Sequence, residues 1–401
     1  MLQLNKGQEE VKKKLVKWWK SSKQVFKLQG YAGTGKSTIV HVLIDELGLD
    51  VQEEVLFVTY VGKATLPLRR QGLPAKTVHS TCYTRVECIE KDENGKAIVL
   101  PNGRYKKKAR FVLRDHLSSR IKLIVVDEAG MIPKSMSDDL ISFGIKIIAI
   151  GDNGQLLPVF GKSDFLDNPD AVLTEIMRQK EGDPILFISD LARRGKEIPI
   201  GKYGDRCFVV DETLLLHKQI YTKPDIVLCG KNKTRQNIND TVRYEINRCK
   251  DEYPIIGDKM MCRKNNWALE IDDIALINGL SGYATNIDDE SFNGKSLNID
   301  FMPECLNGQW FEDVEVDYKL LSEPVGKAGA KTIYPYGNYF EYGYSSTVHL
   351  AQGSQYGYVL FINETMGNSE FQRRFTYTGI TRAQHTLVVV QPKRRNQSYF
   401  F

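Results

Sequence analysis

Short apolar runs recur along the chain, and between them apolar residues return at helical spacing within polar stretches. Gln24–Gln29 (QVFKLQ) and Val55–Thr59 (VLFVT) read as strands. Helices are predicted from Ser37 to about Leu47 and from the residues after Thr59 through Arg70. Ile121–Val126 and Ile145–Ile150 are β-branched runs leading up to acidic residues, as buried parallel strands often do. At Asp225 the pattern restarts: DIVLC, a polar loop, then a helix through Asn247. Tyr358–Ile362 and Leu387–Val390 complete this second set. Strands alternating with helices predict an α/β fold with parallel sheets, in two lobes.

Two stretches interrupt that alternation. Pro254 to about Tyr344 is rich in Gly, Asn and Asp, with strand-like pieces at Ile274–Ile277 and Val314–Tyr318, and reads as an inserted small β domain. Asp92–Arg104 (DENGKAIVLPNGR) carries two Asn-Gly pairs around the apolar run Ala97–Leu100, a strong hairpin signal. Its neighbours Lys91, Lys96, Arg104 and Lys106-Lys107-Lys108 are basic, and without context the insert reads as solvated surface.

Composition narrows the class without deciding it. With 401 residues the chain has room for two or three domains, and 42% apolar with 26% charged residues is ordinary for a globular protein. No apolar run approaches a membrane span, and MLQLNKGQEEVKKK reads as an amphipathic helix rather than a leader. The seven cysteines are scattered and form no C-x-x-C pair, which argues for reduced thiols in a cytoplasm. A net charge of +5 permits nucleic acid as a partner without demonstrating it.

Gly30-Tyr-Ala-Gly-Thr-Gly-Lys36-Ser37 fits G-x-x-x-x-G-K-[ST] between a predicted strand and helix, the context in which that pattern cradles phosphates. Glycines let backbone N–H groups close around the phosphates, and the helix N-terminus adds its dipole. Lys36 is then suited to the β- and γ-phosphates of ATP and the Ser37 hydroxyl to Mg²⁺. Gly33, Thr34, Gly35 and Thr38 complete the cradle. A strand ending in an acidic pair is common, but beside a phosphate loop Asp127 is suited to hold Mg²⁺. Glu128 is suited to deprotonate the attacking water.

Further segments resemble the superfamily 1 helicases, in the 1B branch that includes the RecD- and Dda-like enzymes. Gly151-Asp-Asn-Gly-Gln155-Leu-Leu-Pro158-Val is similar to their GDxxQLxPV motif, and Thr378-Gly-Ile-Thr-Arg382-Ala to their last motif. Thr347-Val-His349-Leu-Ala-Gln352-Gly353-Ser-Gln355 resembles T-x-H-x-x-Q-G-S, and Leu173-Thr-Glu-Ile-Met-Arg178-Gln179 resembles L-T-x-x-x-R-Q. Tyr60-Val-Gly62-Lys63-Ala64 and Ala75-Lys-Thr77-Val-His79 resemble two DNA-facing segments. Leu4-Asn5-Lys-Gly-Gln8 resembles the segment whose glutamine reads adenine. The matches fall in family order from Gln8 to Ala383.

The resemblance implies two RecA-like lobes, the first over 1–80 and 116–183, the second over 184–253 and 345–401. It also implies a strand-separating pin over 81–115 and a small SH3-like β insertion over 254–344. It assigns Gln155 to the γ-phosphate or attacking water, Arg178 and Arg382 as arginine fingers, and Gln8, Gln352 and Gly353 to the nucleotide. Lys63, Thr77, His79, Asn232, Asn278, Thr347 and His349 are implied to bind DNA. A buried, hydrogen-bonded ring is the alternative for either histidine, a surface ion pair for either arginine, and turn or cap roles for the Asn232–Arg235 and Asn278-Gly279 segments.

Three positions depart from the family pattern: Gly130 where Ser is frequent, Leu350 where Lys is frequent, and Leu157 where Pro is frequent. The implied activity is ATP-driven 5′-to-3′ movement on single-stranded DNA with unwinding of forked duplex, in phage replication or recombination. The enzyme would be a monomer in the bacterial cytoplasm, partnered by a single-strand-binding protein or a replisome component. A viral-type RNA helicase and an ATP-driven nucleic-acid switch without unwinding stand as alternatives.

Overall fold

The computed structural model describes residues 4–89, 91, 94–99, 105, 107–157, 163–175, 182–251, 253–272, 274–306, 308–322 and 337–392. The chain divides into two compact units. One comprises Met1–Gln29, Ser37–Gly151 and Phe160–Val172, and the other Gly30–Lys36, Asp152–Val159 and Leu173–Phe401. Among the described residues no helix is long and apolar enough to cross a membrane.

In chain order the first set of elements is α1 (Lys6–Trp19), β1 (Val25–Gly30), α2 (Lys36–Leu47), β2 (Val55–Thr59), α3 (Gly62–Arg70), β3 (Ala75–Thr77) and α4 (Val78–Cys82). There follow β4 (Tyr83–Ile89), β5 (Lys107–Leu113), β6 (Leu123–Val126), α5 (Lys134–Ser142), β7 (Lys146–Gly151) and β8 (Ala171–Leu173). Six strands form one sheet in the order β3-β2-β6-β7-β1-β8. The pairs β3–β2, β2–β6, β6–β7 and β7–β1 are parallel. All four residues of the central strand β6 are buried. Ile124 and Val126 face a core with Leu140, Ile147 and Phe165, and a strand covered on both faces is spelled as an unbroken apolar run. Because these strands run the same way, the segments after β1, β2, β3, β6 and β7 leave from one edge, where open α/β sheets hold their ligands.

The hairpin is longer than its Asn-Gly signals suggest. Strands β4 and β5 pair antiparallel without a break from Tyr83↔Leu113 to Ile89↔Lys107, and Lys91↔Ala97 and Val99↔Tyr105 bridge further out. Gly95 has φ +79°, the left-handed turn conformation that Asn-Gly favours. The second Asn-Gly pair, Asn102-Gly103, lies outside the described residues. Val86, Ile89, Val99, Tyr105 and Val112 are exposed along the ribbon.

The second set is α6 (Pro184–Arg193), β9 (Gly201–Tyr203), β10 (Cys207–Asp211), β11 (Ile226–Cys229), α7 (Asn232–Asp240), β12 (Lys259–Cys262), β13 (Asn266–Ile271) and β14 (Ile274–Leu276). It continues with β15 (Ser281–Asp288), β16 (Ser296–Pro303), β17 (Phe311–Asp317), α8 (Tyr318–Ser322) and β18 (Phe340–Tyr342). It closes with β19 (Ser345–Thr347), β20 (Tyr356–Ile362), α9 (Ser369–Ile380) and β21 (Ala383–Gln391). The order β19-β11-β20-β21-β10-β9 makes a second six-stranded sheet in which only the β9–β10 pairing is antiparallel. Alternate residues serve two cores: Val359, Phe361, Leu387 and Val389 on one face, Leu360, Ile362, Val388 and Val390 on the other.

The helix expected through Asn247 changes character. It is α-helical to Asp240, and Thr241–Ile246 widens into a π-turn. Arg243 in that turn is fully buried, with Nε donating to Asp258 at 3.0 Å and Nη1 to the Asp251 carbonyl at 2.7 Å. Asp258 stands just before β12, so this bond fastens the inserted β region to the helix. The insertion is a five-stranded antiparallel sheet, β17-β16-β15-β12-β18, with β13–β14 as a separate pair.

Candidate active site and nucleic-acid interface

The phosphate loop joins β1 to α2. Gly33 and Gly35 have φ +75° and +79°, conformations that a side chain resists, and they flank Thr34. A Cβ on Gly30 would stand 2.6 Å from Thr34 Oγ1 and 3.0 Å from the Leu173 carbonyl, so a side chain there would push the loop out of shape. Lys36 Nζ donates to the Gly30 and Tyr31 carbonyls at 2.6 and 2.9 Å, which folds the ammonium back over the loop. The donor set and the curled glycine backbone fit a polyphosphate. Ser37 is exposed and Thr38 half-buried in the first turn of α2.

Asp127 follows β6, its N–H bonded to Val58 O at 2.9 Å and its Oδ1 accepting from Glu128 N at 2.9 Å. Glu128 adopts φ 48° and ψ 42°, a left-handed conformation that costs a non-glycine residue about 1–3 kcal/mol. Such strain at the end of a buried strand marks a residue whose direction is imposed by its surroundings. Two residues on, where the family often has serine, a Cβ at Gly130 would meet Leu166 Cδ1 at 2.7 Å and would have to displace that side chain. A hydroxyl still reaches this turn, because Ser163 Oγ donates to the Ala129 carbonyl at 2.7 Å. The Ser37 hydroxyl and the Asp127 carboxylate are hard oxygen donors of the kind that hold Mg²⁺ together with substrate phosphates. Gln8 is buried, and its Oε1 accepts from Asn5 N at 3.1 Å while Asn5 Oδ1 accepts from Gln8 N at 2.7 Å, closing a capping box on α1.

The turn Asp152–Leu156 is held from several sides within the second unit. Tyr377 donates its hydroxyl proton to Asp152 Oδ2 at 2.7 Å, and the Tyr377 hydroxyl oxygen accepts from Ala32 N at 2.8 Å. Arg374 Nη1 donates to the Asn153 and Gln155 carbonyls at 2.7 and 3.0 Å. Thr378 Oγ1 accepts from Leu156 N, and Gln352 Nε2 donates to Leu156 O, both at 2.8 Å. Gln352 therefore serves the turn that carries Gln155, and Gly353 beside it has φ +74°. Arg382 is buried, donating to the Thr378 and Ser354 carbonyls at 3.2 Å each. Arg178 lies outside the described residues, as does Pro158.

The nucleic-acid candidates fall into two groups. In the first unit Thr77 caps α4, accepting from Ser80 N at 3.1 Å, and Lys63 sits half-buried at the start of α3. His79 is ringed by Tyr60, Tyr83 and Phe111, with centroids 6.5, 5.8 and 5.7 Å away. Burial lowers its pKa, so the imidazole is neutral near pH 7. Tyr83 and Phe111 form the foot of the ribbon, and the Tyr83 hydroxyl donates to Asp139 on α5 at 2.5 Å.

In the second unit His349 lies 5.8 Å from Phe371, and burial lowers its pKa too. Thr347 is buried at the end of β19, its Oγ1 accepting from Leu350 N at 3.4 Å. Asn278 donates its backbone N–H to Asn265 Oδ1, and a Cβ on the adjacent Gly279 would stand 3.6 Å from the Leu350 carbonyl. The Asn278-Gly279 turn and the Thr347–His349 segment are thus neighbours. Asn232 is exposed in the first turn of α7. Thr234 and Arg235 take structural roles instead: Thr234 donates to Glu364, which also accepts from Gly230 N and Lys231 N, and Arg235 pairs with Glu341.

A family model described as an AAA domain matches residues 3–212, more than half of the chain, and one described as the UvrD-like helicase C-terminal domain matches residues 342–390. The chain belongs to the superfamily 1B helicases. It is an ATP-hydrolysing DNA helicase. Among solved structures, this helicase is similar to one described as showing DNA unwinding at forked duplex by two coordinating Pif1 helicases. The two share 16% identity and a TM-score of 0.53 over 97% of this chain and 92% of that one. It is also similar to Pif1 from Bacteroides in complex with ADP-AlF3 and single-stranded DNA, with 15% identity, a TM-score of 0.50, and the same shares of the two chains covered. These likenesses show the two-lobed RecA-like fold. A comparison with characterised protein sequences finds no match.

Several residues around the candidate site carry no assigned role in the sequence reading. Tyr83, Phe111 and Phe371 meet the two histidines only after folding, and Arg374 reaches the Asp152–Leu156 turn across more than two hundred residues of chain. Tyr377 opens the YTGITRA segment, Tyr377–Ala383, whose resemblance to the 5′-to-3′ branch gave no role for its ring.

Proposed function

We propose that this helicase moves 5′ to 3′ along one DNA strand and splits duplex at a fork with the β4–β5 ribbon. The observation that carries this reading is the placement of the ribbon. It rises directly from the Thr77–His79 segment and is tied at its foot by Tyr83 to Asp139. A rigid twisted ribbon beside a strand-binding segment is suited to stand between two strands being pulled apart. The polarity rests on the resemblance of Thr347–Gln355 and Tyr377–Ala383 to the 5′-to-3′ branch. The Pif1 structures described with single-stranded and forked DNA support the choice of partner.

In this reading Gly33, Thr34, Gly35, Lys36 and Thr38 bind the ATP phosphates, Gln8 contacts the base, and Gln352 and Gly353 complete the nucleotide contacts. Ser37 and Asp127 hold Mg²⁺, which when bound offsets charge on the phosphates. Glu128 takes the proton of the attacking water and Gln155 orients that water. Arg178 and Arg382 neutralise charge in the transition state, an effect worth about 10³–10⁵ in rate for arginine fingers. For Arg382 this means exchanging its bonds to Thr378 and Ser354.

Lys63 and Asn232 contact the strand's backbone, together with Thr77, Asn278 and Thr347. His79 and His349, neutral and set among aromatic rings, offer stacking faces that tolerate any sequence, at about 1–3 kcal/mol per base. The enzyme works as a monomer in phage DNA replication or recombination, beside a single-strand-binding protein.

The test is unwinding of 5′-tailed, 3′-tailed and RNA-containing duplexes in parallel. Separation of the 5′-tailed DNA substrate alone is expected. Separation of only the 3′-tailed duplex would reverse the polarity, and strand-stimulated ATPase without separation on any substrate would remove the unwinding step.

A further inference from the structure

The Tyr377 hydroxyl joins the phosphate loop to the Asp152–Leu156 turn through two bonds of its own. It accepts from Ala32 N at 2.8 Å and donates to Asp152 Oδ2 at 2.7 Å, on a side chain 1% exposed. The remaining oxygen of Asp152 accepts from Gly154 N at 2.8 Å, so the carboxylate shapes the turn just ahead of Gln155. The ring lies against Gly154, where a Cβ would approach Tyr377 Cε1 to 2.7 Å. Any side chain at 154 would push the ring, and with it the hydroxyl, off both partners.

The bond to Ala32 uses an N–H that precedes the Gly33–Gly35 curl and takes none from within it. Burial, followed by the charge of Asp152, keeps the phenol's pKa well above its ordinary value, so the hydroxyl remains a donor throughout the working pH range. Its neighbours on α9 act on the same turn, since Arg374 and Thr378 bind the backbone of residues 153, 155 and 156.

We propose that Tyr377 is a positioning residue for ATP hydrolysis, fixing the Gln155 turn against the phosphate loop so that it controls turnover of bound ATP and not ATP affinity. This rests on the reading of Gly30–Ser37 as the triphosphate cradle. Removing the hydroxyl leaves Asp152 buried with one donor fewer and frees the turn to shift. A shift of about 1 Å in that turn would weaken the attack geometry while the cradle stays intact.

Tyr377→Phe in the full chain tests it, with a fluorescent non-hydrolysable ATP analogue for affinity and stoichiometry, and ATP turnover measured with and without single-stranded DNA. Expected are one analogue bound per chain with Kd within about threefold of the parent, kcat lower by about tenfold or more, and a smaller stimulation by DNA. The stimulation ratio does not depend on the fraction of folded enzyme, so a loss of fold alone would not move it. Turnover within about twofold of the parent, or a Kd that weakens in step with kcat, overturns the proposal.

Asp152 gives a second, independent reading. Asp152→Asn keeps one acceptor oxygen for the Tyr377 hydroxyl and is expected to retain more turnover per bound analogue than Asp152→Ala. Equal turnover in the two overturns the proposal even if the Phe variant does not fold. Lys36→Ala separates the underlying reading: if that variant still binds and hydrolyses ATP normally, the cradle assignment fails whatever Tyr377 does.

Discussion

Arg235 on α7 and Glu341 on β18 form an ion pair almost fully excluded from water, their side chains 1% and 3% exposed. Arg263 Nε stands 3.3 Å from the same carboxylate, and the Tyr339 hydroxyl donates to it. Two cations and a hydroxyl thus share one buried anion at the root of the inserted β sheet.

Removing that anion strands the guanidinium of Arg235 in the interior, so Glu341→Ala is expected to cost about 3–5 kcal/mol of stability, read as a lowered urea midpoint at pH 7. Burial by itself would raise the Glu341 pKa, but Arg263, Arg235 and the bonds from Arg235 and Tyr339 hold it below its ordinary 4.5. A lowered folded-state pKa contributes stability above the unfolded value and loses it as pH falls through the folded one. The parent should therefore weaken below about pH 4.5, with part of that slope absent in Glu341→Gln. Equal acid slopes in the two proteins would contradict the assignment.

Hydrolysis should respond differently at two positions. Lys36→Ala is expected to lose both tight ATP binding and turnover. Glu128→Gln is expected to bind ATP normally while turnover falls by about 10² or more, because an amide cannot take the proton from water. Normal hydrolysis by the Gln variant would show that another group is the base.

The ribbon can be separated from the motor. Replacing Glu93–Asn102 with a short Gly-Ser linker should abolish strand separation while leaving strand-stimulated ATPase within about twofold of the parent. Tyr83→Phe, which removes only the bond to Asp139, should weaken unwinding more than ATPase. Unimpaired unwinding by the linker variant would return the insert to the role of solvated surface.

His79 and His349 are both lowered in pKa by burial, so each contributes stability above its ordinary 6.5 that is lost as pH falls. A His79→Phe/His349→Phe variant should show a flatter thermal midpoint between about pH 7 and 5.5 than the parent. Steeper acid loss in the double variant would mean that the rings are charged in the folded protein.

What the sequence made readable follows from burial and backbone need. Strands β6 and β11 are covered on both faces, so their residues had to be apolar throughout and stood out as runs. The phosphate loop stood out because a curled backbone at 33 and 35 requires glycine. The ribbon stem was hidden: Thr84, Arg85 and Val86 are all exposed, so no alternation of burial marks the strand. The π-turn at Thr241–Ile246 was hidden as well, since one extra residue in a helical turn leaves little trace in spacing. The hold of Arg374 and Tyr377 on the Asp152–Leu156 turn depends on residues brought together by the second unit's packing, and local pattern carries no record of that.

The stem of the ribbon, from Tyr83↔Leu113 to Ile89↔Lys107, has a hydroxyl tether at its Tyr83 end. The six steps between seven paired residues, at about 3.4 Å each, make an arm of roughly 20 Å. A tilt of roughly 10° about the tether sweeps its far end through roughly 3.5 Å, close to the rise of one base pair. With the ribbon at a fork as proposed, leverage of that kind would turn the angle between Tyr83 and α5 into a distance there, and a change too small to disturb the sheet below would still shift the arm by a nucleotide step.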